Sequence, residues 1–198
     1  MPQSFVFHSG ELESSLFLRQ TFGTGYSRTS NRTCAVFDVR MAALECGRAA
    51  LAASSVQSAH MCAMLTILRE GDEIVSSSTL YGGTYSQFDV TFRQFGIHTV
   101  FVNSYDPENF RKAITPKTRV IYAETMGNPQ INVLDIEAVA KIAGEAGVPL
   151  VIDNTFASPY LCQPIKFGAD IVIHSATKFI GGHATTRGAR VVGRGKLP

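Results

Sequence analysis

The stretch LVIDNTFASPYLCQPIKFGADIVIHSATKF, Leu150 to Phe179, holds two short apolar runs, and each ends on side chains that can do chemistry. Leu150, Val151 and Ile152 run into Asp153, and Ile171, Val172 and Ile173 run into His174, Ser175, Thr177 and Lys178. Runs this short and this rich in β-branched residues read as strands buried on both faces. Working outward, similar runs stand at Ala49–Ser54, Ile74–Ser78, His98–Val102 and Val120–Glu124. Amphipathic segments lie between them. Gln57–Arg69 places Met61, Met64, Leu65 and Leu68 on one helical stripe, and Asp135–Ala146 does the same with Ile136, Val139, Ala140 and Ala143. Asp106-Pro107-Glu108 offers a capping carboxylate, a proline for the first helical position and an acid near the positive end of a further helix. This alternation predicts an α/β fold with a mainly parallel sheet and helices on both faces.

Ahead of Ala49 the pattern weakens. Phe37–Cys46 reads as a helix, and FGTGYSRTSNRT, Phe22 to Thr33, reads as a loop. At the other end VVGRGKLP follows what looks like another strand, so the sheet is expected to be cut off or completed by something else.

With 198 residues, 45% apolar and 17% charged, the chain can bury one core of moderate size. Its net charge of +2 comes from scattered Lys and Arg, which gives no reason to expect nucleic acid. Cys34, Cys46, Cys62 and Cys162 lack metal-ligand spacing and are expected to be reduced thiols of a cytoplasmic protein. The amino terminus has no secretory pattern, and no segment approaches the ~18 apolar residues of a membrane helix. Nucleotide-binding G-x-G-x-x-G and G-x-x-x-x-G-K-[ST] patterns are absent from the sequence.

Ligands of open parallel sheets gather beyond the carboxyl ends of the strands, where Asp153 and Lys178 are expected. Asp153 alone could be a helix cap or half of an ion pair. Lys178 alone would be a solvated surface lysine. Ser175 and Thr177 change that balance: they could face one anionic group while Lys178, partly desolvated between its strand and Gly181-Gly182, reaches a carbonyl. AASSVQSAH, Ala52 to His60, takes a strand into a helix start whose free N–H groups at Ser55, Val56 and Gln57 suit phosphate, although serine there is often only a cap. Tyr81, before Gly82-Gly83, offers an aromatic face to a planar ligand, or is part of an ordinary loop. Together these groups describe a site for pyridoxal 5′-phosphate: an acid for the pyridine nitrogen, a lysine for the aldehyde, hydroxyls and a helix start for the phosphate.

The motifs SSSTLYGGTYSQF, ETMGNP, DIEAVAKIA and VIDNTFASPYLCQPIKFGADIVIHSATKFIGGH resemble the Cys/Met-metabolism family of pyridoxal-phosphate enzymes, from about Tyr26 onward. YGGTY and SATKFIGGH are most similar to its O-acetylhomoserine sulfhydrylase (homocysteine synthase) branch. The resemblance implies the large cofactor-binding domain of a fold-type I, aspartate aminotransferase-like enzyme. It makes Lys178 the Schiff-base lysine, Asp153 the partner of the pyridine nitrogen and Tyr81 a stacking ring that assists proton transfer. Ser175 and Thr177 become phosphate-side hydroxyls, Ser55 to Gln57 the phosphate-binding helix start, and Asn128 a neighbour of the ring hydroxyl. Tyr26 and Arg28 match a pair that reaches the phosphate of a neighbouring subunit, which implies a homo-oligomer. On this reading residues 1–48 are an arm, loop and helix serving the neighbour, and residues 49–198 are the cofactor domain. Family members are longer, so the domain carrying the arginine for the substrate carboxylate is expected to be missing.

Three departures stand out. Val56 replaces a usual glycine and should obstruct approach to phosphate and resist positive φ. Arg32 replaces the proline of NPT and should remove a rigid turn. Cys46 replaces a glycine. The expected activity is γ-replacement on O-acetyl-L-homoserine by sulfide or a thiol, giving homocysteine or methionine. The alternatives are a γ-lyase or cystathionine γ-synthase of the same family, or a catalytically silent fragment that keeps only the fold.

Overall fold

Residues 6–18, 20–21, 23, 25–27, 31–195 and 197 are described by a computed structural model. Seven strands, β1 (Ala49–Ala53), β2 (Glu73–Ser77), β3 (His98–Val102), β4 (Thr118–Glu124), β5 (Leu150–Asp153), β6 (Ile171–Ser175) and β7 (Ala189–Gly193), form one sheet in the order β1-β7-β6-β5-β4-β2-β3. The pairs β3/β2, β2/β4, β4/β5 and β5/β6 are parallel. β7 is antiparallel to both β6 and β1. No helix intervenes between Ser175 and Ala189, so the chain has no crossover to carry it back to the start of a parallel strand. The six strands expected from the sequence form within two residues of their expected limits.

The described helices are α1 (Gly10–Phe17), α2 (Arg32–Leu44), α3 (Val56–Ile67), α4 (Gly82–Ser86), α5 (Phe92–Gln94), α6 (Glu108–Ala113), α7 (Ile136–Ala146) and α8 (Ser158–Leu161), with α3 on one face of the sheet and α2 and α7 on the other. A π-helical segment, Gln87–Thr91, joins α4 to α5. Alternate strand residues feed two cores. On one face Val120, Tyr122, Val151 and Ile173 pack with Ala59, Ala63 and Met64 of α3. On the other Ile121, Ala123, Ile152 and Val172 pack with Met41 of α2 and with Ile136, Val139, Ile142 and Ala143 of α7. α7 is capped by Asp135, whose Oδ1 accepts from the Ala138 N–H at 3.0 Å, and ends on Gly147 at φ 66°, a left-handed position that suits glycine.

The expected stripe of α3 needs correction. Ala59, His60, Ala63, Met64 and Leu68 are buried, while Leu65 is 37% exposed and Met61 only half-buried. Small alanines let the helix lie close on the sheet, and that rotates the larger side chains outward. α2 begins at Arg32, earlier than expected, because Asn31 caps it: Asn31 Oδ1 accepts from the N–H groups of Thr33 (2.9 Å) and Cys34 (3.4 Å). Arg32 therefore occupies the first helical position, while the loop before Asn31, where loss of a rigid turn is expected, lies outside the described residues. Val56 likewise opens α3 without a positive φ, so the backbone conflict expected there does not arise. Cys46 does adopt the left-handed region, at φ 59°. No described helix is long and apolar enough to cross a membrane.

Candidate functional site

Strand parity decides which end groups meet. Glu124 lies two residues beyond Tyr122, Asp153 two beyond Val151 and Ser175 two beyond Ile173, so all three share the α3 side of the sheet. Glu124 is in register with Asp153, and Asp153 with Ile173. His174 falls on the opposite side and meets Glu45, both side chains being fully buried. Asn154 Nδ2 donates to the same Glu45 Oε1 at 2.8 Å, fastening the end of α2 beneath the site.

Asp153 is buried, at 8% exposure. Its Oδ1 accepts from the Thr155 N–H at 2.9 Å, whereas its Oδ2 has no hydrogen-bond partner among the described residues and lies 3.7 Å from His60 Nε2. His60 is fully buried on α3, and its Nε2 stands 2.9 Å from Tyr122 Oη. Burial holds the imidazole below its ordinary pKa, while the Asp153 carboxylate and then the Gln87 side chain pull the other way. Glu124 is pushed up to about 8, first by burial and then by the Asp153 carboxylate, against the opposing hydrogen bond from Tyr81. That bond runs from the Tyr81 N–H to Glu124 Oε1 at 2.8 Å. Burial, then the two carboxylates, raises the Tyr122 hydroxyl well above its usual range.

The expected residues fall unevenly around this centre. Ser55 is the N-cap of α3, its Oγ accepting from the Ser58 N–H at 3.2 Å, which leaves the Val56 and Gln57 N–H groups open. Tyr81 is half exposed, and a Cβ on Gly83 would lie 2.5 Å from its ring, so this glycine makes room for the tyrosine. Ser175 is buried and its N–H donates to Thr155 Oγ1 at 2.8 Å. Asn128 is half-buried in the loop after β4. Thr177 turns its hydroxyl inward, accepting from the Gly188 N–H at 3.1 Å, so it ties the turn to the start of β7. Lys178 is exposed, not partly desolvated as expected, because the turn after Ser175 lifts it clear of the strand. Its amine has no hydrogen-bond or ion-pair partner among the described residues. Tyr26 is exposed, and Arg28 lies outside the described residues.

Sequence reasoning missed Glu124 and His60. Glu124 ends its strand as Asp153 does, a signal that was available. His60 was hidden by the misplaced stripe of α3.

An open helix start, a half-exposed ring, and a carboxylate oxygen and an amine that lack partners among the described residues suit a ligand with a phosphate, a protonatable ring nitrogen and a carbonyl. A mainly parallel sheet that gathers such groups at its carboxyl edge is the large domain of a fold-type I pyridoxal-phosphate enzyme. The chain belongs to the family of Cys/Met metabolism PLP-dependent enzymes, which it matches over residues 2–196. It is 55% identical over 194 residues to the O-acetyl-L-homoserine sulfhydrylase of Leptospira meyeri, covering 98% of this chain and 44% of the relative. It is 51% identical over 196 residues to the homocysteine/cysteine synthase of Saccharomyces cerevisiae, with the same two coverages. A crystal structure from Campylobacter jejuni, described as an O-acetylhomoserine (thiol)-lyase with N′-pyridoxyl-lysine-5′-monophosphate, superposes with a TM-score of 0.94 at 32% identity, over 99% of this chain and 49% of that one. The chain thus spans about half the length of the relatives it matches.

Proposed function

We propose that this chain forms the cofactor-binding part of an enzyme that replaces the acetate of O-acetyl-L-homoserine with sulfide or a thiol, yielding homocysteine or methionine. The observation that carries this reading is the gathering of Asp153, Ser175 and the open start of α3 on one side of the sheet, with the exposed Lys178 just beyond β6. Identity of about half to an O-acetyl-L-homoserine sulfhydrylase and to a homocysteine/cysteine synthase supports the substrate class.

Pyridoxal 5′-phosphate, when bound, supplies an electron sink for charge developing on the substrate. Asp153 Oδ2 would hold a proton on its ring nitrogen. The Val56 and Gln57 N–H groups, with Ser55 and Ser175, would bind its phosphate, and Thr177 would hold the turn in place. The Tyr81 ring would cover it, and Asn128 would face its ring hydroxyl. Lys178 would bond its aldehyde and, once released, carry protons at the Nζ atom. Tyr26 and Arg28, within the arm of residues 1–48, would serve a second subunit in a homo-oligomer. Cytoplasmic residence fits the four cysteines, which are all free.

The test is borohydride reduction of the chain mixed with pyridoxal 5′-phosphate, followed by peptide mass analysis. A pyridoxyl adduct on Lys178, lost in Lys178→Ala, is expected. An adduct retained in Lys178→Ala would overturn the assignment. Release of acetate from O-acetylhomoserine only when sulfide or a thiol is present then checks the reaction.

A further inference from the structure

We infer that His60 is a positioning residue for Asp153, backing the carboxylate from inside the core and setting how firmly it holds a proton on a ligand's ring nitrogen. The inference rests on the role proposed above for Asp153. It concerns a residue one turn inside α3, the helix whose first N–H groups would bind phosphate, so one rigid element would steer both ends of the ligand.

The geometry leaves the imidazole few other tasks. His60 is fully buried, yet its ring is enclosed edge-on by Phe88 (centroids 5.8 Å) and Tyr122 (5.3 Å), which offer no charge. Its Nε2 faces Tyr122 Oη at 2.9 Å and Asp153 Oδ2 at 3.7 Å. Among the described residues its Nδ1 and Gln87 Oε1 are both buried and without a hydrogen-bond partner, although the Gln87 side chain acts on the ring. A neutral imidazole has one donor and one acceptor, so it cannot give a proton to both sides. A proton on Nδ1 suits Gln87 and turns the Nε2 lone pair toward the carboxylate; a proton on Nε2 suits Asp153 and Tyr122 and leaves Gln87 unpaired. Charge on Asp153 therefore biases the ring, and the ring in return biases Asp153. Linkage makes the two effects equal.

Gln87 holds this arrangement from the π-helical segment, since its Nε2 donates to Gln57 O at 2.9 Å in the first turn of α3. π segments often mark functional positions because they re-aim one side chain without breaking the helix. The titratable groups nearby are Tyr122 and Glu124 on β4 and Asp153 on β5. The Tyr122 hydroxyl stays neutral, and Glu124 is paired in register with Asp153 on the neighbouring strand.

The experiment uses the full chain. First, nitrogen-15 NMR follows the His60 ring without cofactor, in wild type and in Asp153→Asn; removal of the carboxylate should move the titration midpoint down and shift the ring toward the Nδ1–H tautomer. Unchanged His60 signals would overturn the inference. Second, the dissociation constant of pyridoxal 5′-phosphate and the pH midpoint of its visible band are measured in His60→Leu, His60→Gln and Asp153→Asn. His60→Leu should bind about tenfold more weakly, the size of one polar contact to a buried carboxylate, and should move the band midpoint. His60→Gln, which keeps an amide donor, should recover part of both. If His60→Leu changes neither while Asp153→Asn removes the band, the inference fails and the cofactor reading stands. If Asp153→Asn changes neither, that reading fails and this inference falls with it.

Discussion

Glu124 offers a sharp test of the electrostatics at the sheet edge. The residue is 8% exposed and in register with Asp153, and its carboxyl pKa rises from 4.5 to about 8 on folding. Between these values the folded chain keeps a proton that the unfolded chain has released, so stability falls as pH rises. The slope from this one group is about 1.4 kcal/mol per pH unit, and the loss approaches the order of 5 kcal/mol above pH 8. Below about pH 4.5 the contribution vanishes, because both states are protonated. Glu124→Gln imitates the protonated acid and keeps an oxygen for the Tyr81 N–H. Urea unfolding followed by circular dichroism at pH 5, 6, 7 and 8 should find the variant close to wild type at pH 5 and about 3 kcal/mol more stable at pH 7. Parallel stability curves for the two proteins would refute the reasoning. Repeating both in Asp153→Asn should shrink the difference, since that carboxylate is the second cause of the shift.

Two further substitutions test the backbone. Cys46 is exposed and held at φ 59°, a conformation costing an L-residue roughly 1–2 kcal/mol, of which glycine's extra unfolded entropy returns about 0.4–1. Cys46→Gly should therefore stabilise by about 0.5–1 kcal/mol, some 1–4 °C in Tm, whereas Cys46→Ala should do nothing measurable; equal effects of the two in a thermal melt would count against left-handed strain. Arg32 stands at the first position of α2 after an extended Asn31 (φ −142°, ψ 129°), which is the conformation a following proline prefers. Arg32→Pro should stabilise by about 0.4–1 kcal/mol in denaturant unfolding, and a loss would mean that the Arg32 N–H or side chain makes a needed contact.

The strands were legible because each central one is buried on both faces and so must be a short, continuous apolar run. Asp153, Ser175 and Lys178 were legible for the same reason, as the polar residues that stop those runs. α3 was harder, because large side chains carry most of the hydrophobic signal while the contact with the sheet is made by Ala59 and Ala63. That error rotated His60 out of view. The desolvation of Lys178 failed because burial there depends on the path of a turn, which strand patterning does not encode. The Asn31 cap and the direction of β7 depend on local hydrogen bonding and connection length, and a motif comparison that saw only the missing proline overlooked the first.

The antiparallel seam between β1 and β7 also orders events in time. Among the described residues, 49–53 pair with no strand but Ala189–Gly193, so during synthesis β1 waits as a bare ribbon while some 135 intervening residues are made. α3 follows directly on β1, and its core neighbours include Ile171 and Ile173 of β6 and Ala189 of β7. The helix start that would grip an anion can therefore settle only after β7 has docked, and a nascent chain shows the cell no finished anion pocket until the β1–β7 seam is made.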